Sequence, residues 1–162
     1  FVDYPAVAPR SLGWLAWKMG ASGWLTYETV GSFAEPWEGP AFVYPQFSGG
    51  TVWGMGQMFY PDISGPGAVA PSLRWELMRE GAEDFLYLQM LRKRLEEPDP
   101  TNASTDWKRQ AREVFVEAQT AVVGGSGDAE TTREQRFPNA QSNTVPHRIR
   151  ARIADLLEKT SR

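Results

Sequence analysis

Cysteine is absent from the 162-residue chain, and histidine occurs once. Without cysteine the chain has no disulfides, no thiolate metal sites and no thiol nucleophile, which leaves its redox compartment open. A Ser-His-Asp triad would have to use His147, which lies in the basic stretch "HRIRAR" far from any nucleophile-elbow motif. A multi-histidine metal site is also excluded within this chain. We therefore expect no metal and no cofactor.

Long apolar runs, a strong net charge and a phosphate-binding loop are missing as well. No apolar stretch approaches the roughly 20 residues that a membrane-spanning helix needs, so we expect no membrane partner. The net charge is −3 and basic residues interleave with glutamate, which gives no reason to expect nucleic acid. The stretch "GGTVWGMG" lacks the Gly-Lys-Ser/Thr ending of a phosphate loop. The length suffices for one domain with a substantial core.

Aromatic residues are abundant instead. They make up 12% of the chain, and six of the seven tryptophans lie in its first half. Residues 29–56 combine several aromatic residues with many glycines and prolines, and they show no hydrophobic period. Loops of this length are usually functional or disordered, and aromatic content argues against disorder. We therefore predict a functional aromatic loop over this segment.

The spacing of apolar residues predicts helices and two short strands. The helices are expected over residues 5–20, 73–97, 105–123 and 145–159, and the strands over residues 23–28 and 57–60. Ser72 is the expected N-cap of the second helix. Two short buried strands cannot form a parallel sheet that stands alone. Strands joined by a long crossover therefore indicate a piece of a larger α/β sheet or barrel, followed by a helical C-terminal extension.

Candidate ligand-binding residues lie at the predicted strand ends and in the aromatic loop. Tyr27 and Glu28 end the first strand, and Tyr60 ends the second. In α/β barrels the carboxyl ends of the strands and the loops that follow them build the active site. Aromatic faces stack on the apolar faces of sugars, and carboxylates bind their hydroxyls. We therefore predict carbohydrate binding by Tyr27, Glu28, Trp37, Trp53 and Tyr60; the alternative is that these aromatic residues only pack the loop.

The charges of the second predicted helix are unusually placed. Arg74 lies in the first turn, where a cation opposes the helix dipole, and Glu80 and Asp84 stand four residues apart, where like charges repel. Partners outside the helix would reverse both penalties. We expect Arg74 to reach a strand-end carboxylate and Asp84 to accept from backbone N–H groups of the loop. Arg79 and Glu83 are expected to pair along the helix, so the group is interpreted mainly as a structural network.

A pair of catalytic carboxylates cannot be identified. Sugar hydrolysis needs two acids about 5–9.5 Å apart. Glu28, Glu35, Glu38 and Asp62 are candidates, but no spacing singles out two of them. A substrate-assisted hydrolase would use an acidic pair at one strand end, and the dipeptide Asp-Glu never occurs in this chain. We therefore expect no complete catalytic site here.

Three motifs carry a family resemblance. The stretches "SLRWELMREGAEDFLYLQML", "GMGQMFYPD" and "GWLTYE", within residues 3–97, resemble the C-terminal part of the glycoside hydrolase family 123 catalytic domain and its DUF4091 relatives. The resemblance implies a (β/α)8 barrel and retaining, substrate-assisted β-N-acetylgalactosaminidase activity, with an Asp-Glu pair upstream of the matched region. It places Tyr27 near the sugar. It places Tyr60, Arg74, Arg79, Glu83 and Asp84 at motif positions. Met55 and Asp62 depart from the family pattern.

The resemblance also sets the expected organisation and function. Residues 1–97 are expected to be the C-terminal portion of a (β/α)8 barrel with two short parallel strands, 98–123 an additional packed helix, 124–143 a flexible linker and 144–162 a C-terminal helix. The chain is expected to act with a missing N-terminal barrel part or with other copies of itself, on an N-acetylhexosamine-containing glycan. The resemblance favours a secreted or extracytoplasmic location. Alternatives are a non-catalytic carbohydrate-binding module and a self-assembling structural protein.

Overall fold

The computed structural model describes residues 7–26, 42–43, 51–52, 57–62, 64–97, 105–122 and 144–160. Its helices are α1 (Ala8–Lys18), α2 (Leu73–Glu96), α3 (Thr105–Ala121) and α4 (Thr144–Glu158). Its strands are β1 (Phe42–Val43), β2 (Thr51–Val52), β3 (Phe59–Pro61) and β4 (Val69–Pro71). The predicted helices are confirmed to within a few residues, and the described part of the chain is mainly helical. None of the described helices is long and apolar enough to cross a membrane.

The strands form two separate antiparallel pairs, β1 with β2 and β3 with β4. The predicted parallel pairing of residues 23–28 with residues 57–60 is wrong for the described residues, because residues 23–26 form no strand and β3 pairs with β4 instead. A tight turn joins β3 and β4, where Gly67 adopts a φ of 80° and Asp62 N donates to Ala68 O at 2.9 Å. Glycine tolerates such a backbone conformation, so the chain reverses within a few residues.

One strand prediction and one loop prediction also need correction. Residues 23–26 are not a strand, and Leu25 is 88% exposed, so it has no covering sheet. Residues 27–28, the end of that predicted strand, lie outside the described residues. The predicted loop 29–56 contains β1 and β2, each too short to show an alternating pattern in the sequence.

One hydrophobic core joins all four described helices. Each helix contributes a buried apolar stripe at helical spacing, which is why the periodicity of the sequence located the helices. The core residues are Trp14, Trp17, Leu88, Leu91, Trp107, Ala111, Val114, Ala118, Val122, Ile149, Ile153 and Leu156. Fully burying an aliphatic side chain stabilises by about 1.5–3 kcal/mol, so α3 and α4 contribute as strongly to this core as α1 and α2 do.

Polar contacts reinforce the packing of α3 and α4. Lys18 Nζ donates to the carbonyl oxygens of Gln119 and Val122, both at 2.8 Å, and so satisfies carbonyl groups at the end of α3. Trp107 Nε1 donates to Leu156 O at 2.7 Å and ties α3 to α4. The segment 124–143, predicted to be a linker between these helices, lies outside the described residues.

Glycines allow a close approach between α1 and α2. A Cβ atom added at Gly13 would lie 1.9 Å from Gly81 O, and one added at Gly81 would lie 2.3 Å from Arg10 O. The backbones of the two helices therefore touch where the helices cross. This contact brings Arg10 and Trp14, which flank Gly13 on the same face of α1, against the residues that follow Gly81 on α2.

We predict that Gly81→Ala destabilises the protein. Alanine would normally stabilise a helix interior by about 0.5–1 kcal/mol relative to glycine. Here overpacking against a backbone carbonyl should outweigh that gain and lower the free energy of unfolding by about 3 kcal/mol, measured by urea denaturation.

Gly23→Ala is the matched control, because a Cβ at Gly23 meets nothing within 4 Å. It should change the free energy of unfolding by less than about 0.5 kcal/mol. Equal stability of the Gly81→Ala variant and the wild type would show that the helices do not cross at this glycine.

Candidate functional site

The β3–β4 hairpin leads directly into α2. Ser72 has extended backbone angles, and its Oγ accepts from Trp75 N at 3.3 Å, which confirms it as the N-cap. Its own N–H donates to Met58 O at 2.8 Å. The start of α2 is thus bonded to the chain just before β3. We call residues 57–62 and 69–75 the hairpin–helix junction.

The side chain of Arg74, in the first turn of α2, binds residues at the start of the hairpin. Its Nη2 donates to Gln57 O and to the Tyr60 hydroxyl, both at 2.7 Å, and its Nε donates to Gln57 O at 3.2 Å. The guanidinium carbon lies 6.0 Å from the centre of the Tyr60 ring. Hydrogen bonds from a charged group contribute about 1.5–3 kcal/mol each, which outweighs the few tenths of a kcal/mol lost to the helix dipole.

The prediction that Arg74 finds partners outside its own helix is therefore confirmed. The expected partner, a strand-end carboxylate, is wrong: the acceptors are a backbone carbonyl and a phenol. The carboxylate of Asp62 instead accepts from Ser64 N at 2.8 Å within the turn. Asp62 serves the turn because its short side chain reaches the backbone two residues on.

An aromatic pair borders the same junction. The rings of Phe59 and Trp75 lie 4.7 Å apart between centroids, with their planes tilted by 49°. Trp75 remains 37% exposed, so the pair leaves part of an indole face open to solvent. Together with Tyr60, these residues give the junction an aromatic surface with hydrogen-bonding groups beside it.

A second group of charged residues lies deeper, where α1 crosses α2. Arg10 is 0% exposed and Asp84 is 1% exposed. Arg10 donates from Nε to Asp84 Oδ2 at 2.6 Å and from Nη2 to Oδ1 at 3.0 Å, a two-pronged pair. Trp14 Nε1 also donates to Oδ2, at 2.8 Å. Asp84 was predicted to accept from loop backbone N–H groups, and that prediction is wrong, because the glycine contact places α1 side chains against it first.

Arg150 of α4 completes this group. Its Nη1 donates to Glu83 Oε2 at 2.8 Å and its Nη2 donates to Glu80 Oε2. Its Nε lies 2.7 Å from Asp84 Oδ1 but is not aligned for a hydrogen bond, so that contact is purely electrostatic. We call Arg10, Glu80, Glu83, Asp84 and Arg150 the ionic cluster. The repulsion predicted between Glu80 and Asp84 is relieved by cations from α1 and α4.

Within the cluster, the pKa values of Glu80 and Arg150 are shifted towards their charged forms. Burial by itself raises the pKa of Glu80, but its hydrogen bond to Arg150 and the nearby charges of Arg150, Arg10 and Arg79 hold that pKa below its ordinary value of 4.5. Burial lowers the pKa of Arg150, and the carboxylates of Asp84 and Glu80 more than offset this, so its pKa is raised.

Arg79 forms the predicted pair with Glu83 on the outside of α2 and also donates to Glu76 at 3.0 Å. About half of its side chain is exposed. Exposed pairs of this kind typically contribute less than about 1 kcal/mol. Arg79 therefore contributes little to the stability that the neighbouring ionic cluster provides.

The one histidine contacts the cluster from α4. His147 Nε2 lies 3.0 Å from Arg10 Nη1, and because a guanidinium has no acceptor, the imidazole nitrogen accepts. Among the described residues, no three His, Asp or Glu side chains are arranged to hold a metal ion. The ionic cluster therefore holds three helices together, and its carboxylates bind arginines.

Comparison with protein families gives one result. The family profile "Glycoside hydrolase 123, catalytic domain" matches residues 1–91, more than half of the 162-residue chain. The chain belongs to glycoside hydrolase family 123. No curated protein and no solved structure gives a significant match. The match includes the hairpin–helix junction and the acidic residues of the ionic cluster, while Arg150 lies beyond it. The resemblance inferred from the "SLRWELMREGAED" motif is confirmed.

The structure places some of the predicted residues of this family domain together. Tyr60 and Arg74 meet in the junction, and Glu83 and Asp84 meet in the ionic cluster. Four predicted sugar-binding residues lie outside the described residues: Tyr27, Glu28, Trp37 and Trp53. Their role stays a prediction.

Three residues that contact Asp84 were not predicted from the sequence: Arg10, Trp14 and Arg150. Arg10 and Trp14 carried a usable signal, because they flank Gly13 at helical spacing just as Asp84 follows Gly81 by one turn. Arg150 carried none. It is one of three arginines within "HRIRAR", and only the packing of α4 shows which one faces Glu80.

We predict that Asp84→Asn destabilises the family domain strongly. The substitution keeps the size of the side chain and removes the carboxylate that is hydrogen-bonded to the buried guanidinium of Arg10, leaving only Glu80, at 3.8 Å, as a nearby counter-charge among the described residues. Removing one partner of a buried pair costs about 3–5 kcal/mol, which urea denaturation would measure as a lower free energy of unfolding.

Two variants make this test specific. The double variant Arg10→Met/Asp84→Asn should lose less stability than the sum of the two single variants. Each single variant leaves the other member of the pair behind, whereas the double variant removes both members. Arg79→Gln, on the exposed side of the same motif, should lose less than about 1 kcal/mol. Equal losses for Asp84→Asn and Arg79→Gln would contradict a structural role for the buried pair.

Stability should also depend on pH through Glu80. A carboxyl group whose pKa is lowered in the folded state stabilises the protein above its ordinary value of 4.5, and the contribution is lost as the pH falls through the folded value. The wild type should therefore lose more stability than Glu80→Gln between about pH 7 and about pH 3. The difference should arise below 4.5, and parallel pH profiles for the two proteins would contradict it.

Proposed function

We propose that this chain supplies sugar-contacting aromatic residues and barrel-closing elements to a family 123-type glycoside hydrolase that acts on β-linked N-acetylgalactosamine. The family match over residues 1–91 carries the proposal. The activity and the substrate class are those that the resemblance implies.

The hairpin–helix junction supports a role in sugar binding. Tyr60 combines an aromatic ring with a hydroxyl bound by Arg74, and Trp75 exposes part of its indole beside it. An aromatic face next to a polar group is suited to a pyranose ring, which has apolar C–H faces and hydroxyl edges. In this proposal Tyr60 acts with Tyr27, Glu28, Trp37 and Trp53 at one sugar site.

The catalytic Asp-Glu pair is proposed to come from polypeptide other than these 162 residues. The dipeptide does not occur in the chain. Within α2, Glu80, Glu83 and Asp84 are each bound by arginine, so they are engaged in structure and are poorly suited to general acid–base chemistry. In this proposal the chain contributes sugar binding and barrel closure. The other polypeptide contributes the Asp that orients the acetamido group of the substrate and the Glu that acts as general acid.

An exposed face of α2 supports association with further barrel elements. Leu86 and Met90 lie four residues apart, which is about one helical turn. Leu86 is 59% exposed and Met90 is 54% exposed, on the side of α2 opposite the buried Leu77 and Leu88. Exposed apolar residues aligned along a helix are typical of an interaction surface. We propose that this face packs against the remainder of the barrel, with other copies of the chain as the alternative occupant.

A carbohydrate-binding module without hydrolysis is the second candidate. The lack of an Asp-Glu dipeptide favours it. It would use the same aromatic residues and bind the sugar without cleaving it.

The two functions are separated by assaying the protein expressed from its complete reading frame. We expect hydrolysis of a chromogenic N-acetyl-β-galactosaminide by that protein and no hydrolysis by residues 1–162 alone. Titration with N-acetylgalactosamine, followed by calorimetry, measures binding independently of turnover.

Binding without turnover would establish the carbohydrate-binding module instead. A complete reading frame that encodes no Asp-Glu pair would contradict the hydrolase. Neither binding nor turnover would contradict both functions.

A further inference from the structure

We propose that Pro61 and Pro71 close the two outer edges of the β3–β4 hairpin to pairing with a further strand. The hairpin then ends its sheet, and neither another copy of this chain nor other polypeptide of the complete protein extends it by backbone hydrogen bonds. The inference goes beyond the proposed function and concerns how this chain associates.

The register of the hairpin shows which backbone groups face outward. Asp62 N donates to Ala68 O at 2.9 Å and Ser72 N donates to Met58 O at 2.8 Å, so these are hydrogen-bonded pairs. In antiparallel strands such pairs alternate with pairs that exchange no hydrogen bond, whose N–H and C=O groups point away from the partner strand. The outward-facing pairs of this register are Phe59 with Pro71 and Pro61 with Val69.

Each outer edge therefore carries one proline at an outward-facing position. Pro61 lies on the edge of β3 and Pro71 on the edge of β4, and a proline nitrogen has no hydrogen to donate. A strand laid along either edge would meet a single outward N–H, from Phe59 on β3 or from Val69 on β4. Because a ladder needs donors at alternate residues, each proline removes one of the two that its edge would otherwise offer.

A side chain also occupies an acceptor on the edge of β3. The carbonyl of Phe59 faces the same edge as its N–H, and it accepts from Gln57 Nε2. Gln57 is 2% exposed, so its surroundings hold this amide in place. A strand that paired with β3 would have to displace the amide from the Phe59 carbonyl.

The edge of β4 is exposed, which gives its proline a purpose. Val69 is 65% exposed, and Pro71 is exposed as well. The N–H and C=O groups of an exposed edge strand form a template for pairing with other chains, and proline removes donors from that template. Association with other copies or with the remainder of a barrel then uses side chains, as proposed for the exposed face of α2.

Amide hydrogen exchange tests whether the edges are closed. It would be followed by NMR on the protein expressed from its complete reading frame. The amides of Tyr60 and Ala70 point across the hairpin and should be protected, whereas those of Phe59 and Val69 should exchange at least about 10-fold faster. Equal protection of all four amides would show that a further strand is paired with the hairpin and would overturn the inference.

Replacing the prolines tests whether they are the cause. Pro61→Thr/Pro71→Thr restores one N–H on each edge, and the outward direction of both nitrogens leaves the pairing of β3 with β4 intact. Sedimentation velocity should show this variant forming dimers at about 5- to 100-fold lower protein concentration than the wild type, since edge-to-edge pairing gains a hydrogen bond from each restored donor.

Val69→Thr is the matched control. It places threonine on the same edge at a position that already has an N–H, so it should leave association unchanged. Wild-type association of the double proline variant, or an equal gain in Val69→Thr, would contradict the role of the prolines.

Two features keep the test decisive. If the double variant does not fold, the single variants Pro61→Thr and Pro71→Thr and the exchange rates of the wild type give the answer. None of these measurements involves sugar. Failure of the inference therefore leaves the proposed function standing, and absence of sugar binding or turnover leaves the inference standing.

Discussion

The buried carboxylate of Asp84 is the interaction on which the described structure depends. It is the point at which α1, α2 and α4 meet, since Arg10, Trp14 and Arg150 all approach its two oxygens. A buried charge is tolerated only when it is paired and hydrogen-bonded, so the three helices are required to hold one relative arrangement. The glycine contact between α1 and α2 makes this possible, because bulkier residues would hold Arg10 too far from the carboxylate.

The geometry of the hairpin–helix junction depends on this arrangement of α1, α2 and α4. α2 is fixed along its length by the core and by the ionic cluster, and its first turn carries Arg74 and Trp75 against β3. The family motif "SLRWELMREGAED" therefore combines two tasks along a single helix. Its first part shapes the candidate sugar site, and its second part anchors the helix that presents that site.

Helices were predictable from this sequence because each one carries an apolar stripe that repeats over several turns, and Ser72 marks the start of α2 by its capping chemistry. The strand predicted over residues 57–60 is confirmed to within a few residues as β3. β1, β2 and β4 were not predicted, because two- and three-residue strands have too few positions to show alternation. The parallel pairing failed for a different reason. It was inferred from the order of the elements, whereas residues 23–26 form no strand and β3 pairs with β4 through the turn at Gly67.

The candidate site was predictable in part for similar physical reasons. The unfavourable positions of Arg74, Glu80 and Asp84 within their own helix correctly indicated partners elsewhere. The identity of those partners depended on helix packing, which local sequence does not encode: Arg150 lies more than sixty residues from Glu80 along the chain. The family motif alone would have identified neither Arg10 nor Arg150.

The shared core has a consequence for how this protein is divided into parts. The family match ends at Leu91, yet Leu91 is fully buried among residues of helices that extend to Leu156. The stretch matched by the family profile and the stretch that shares one hydrophobic core are therefore different. A boundary drawn at the end of the match would cut through the hydrophobic interior, since α3 and α4 pack into the same core as the matched residues.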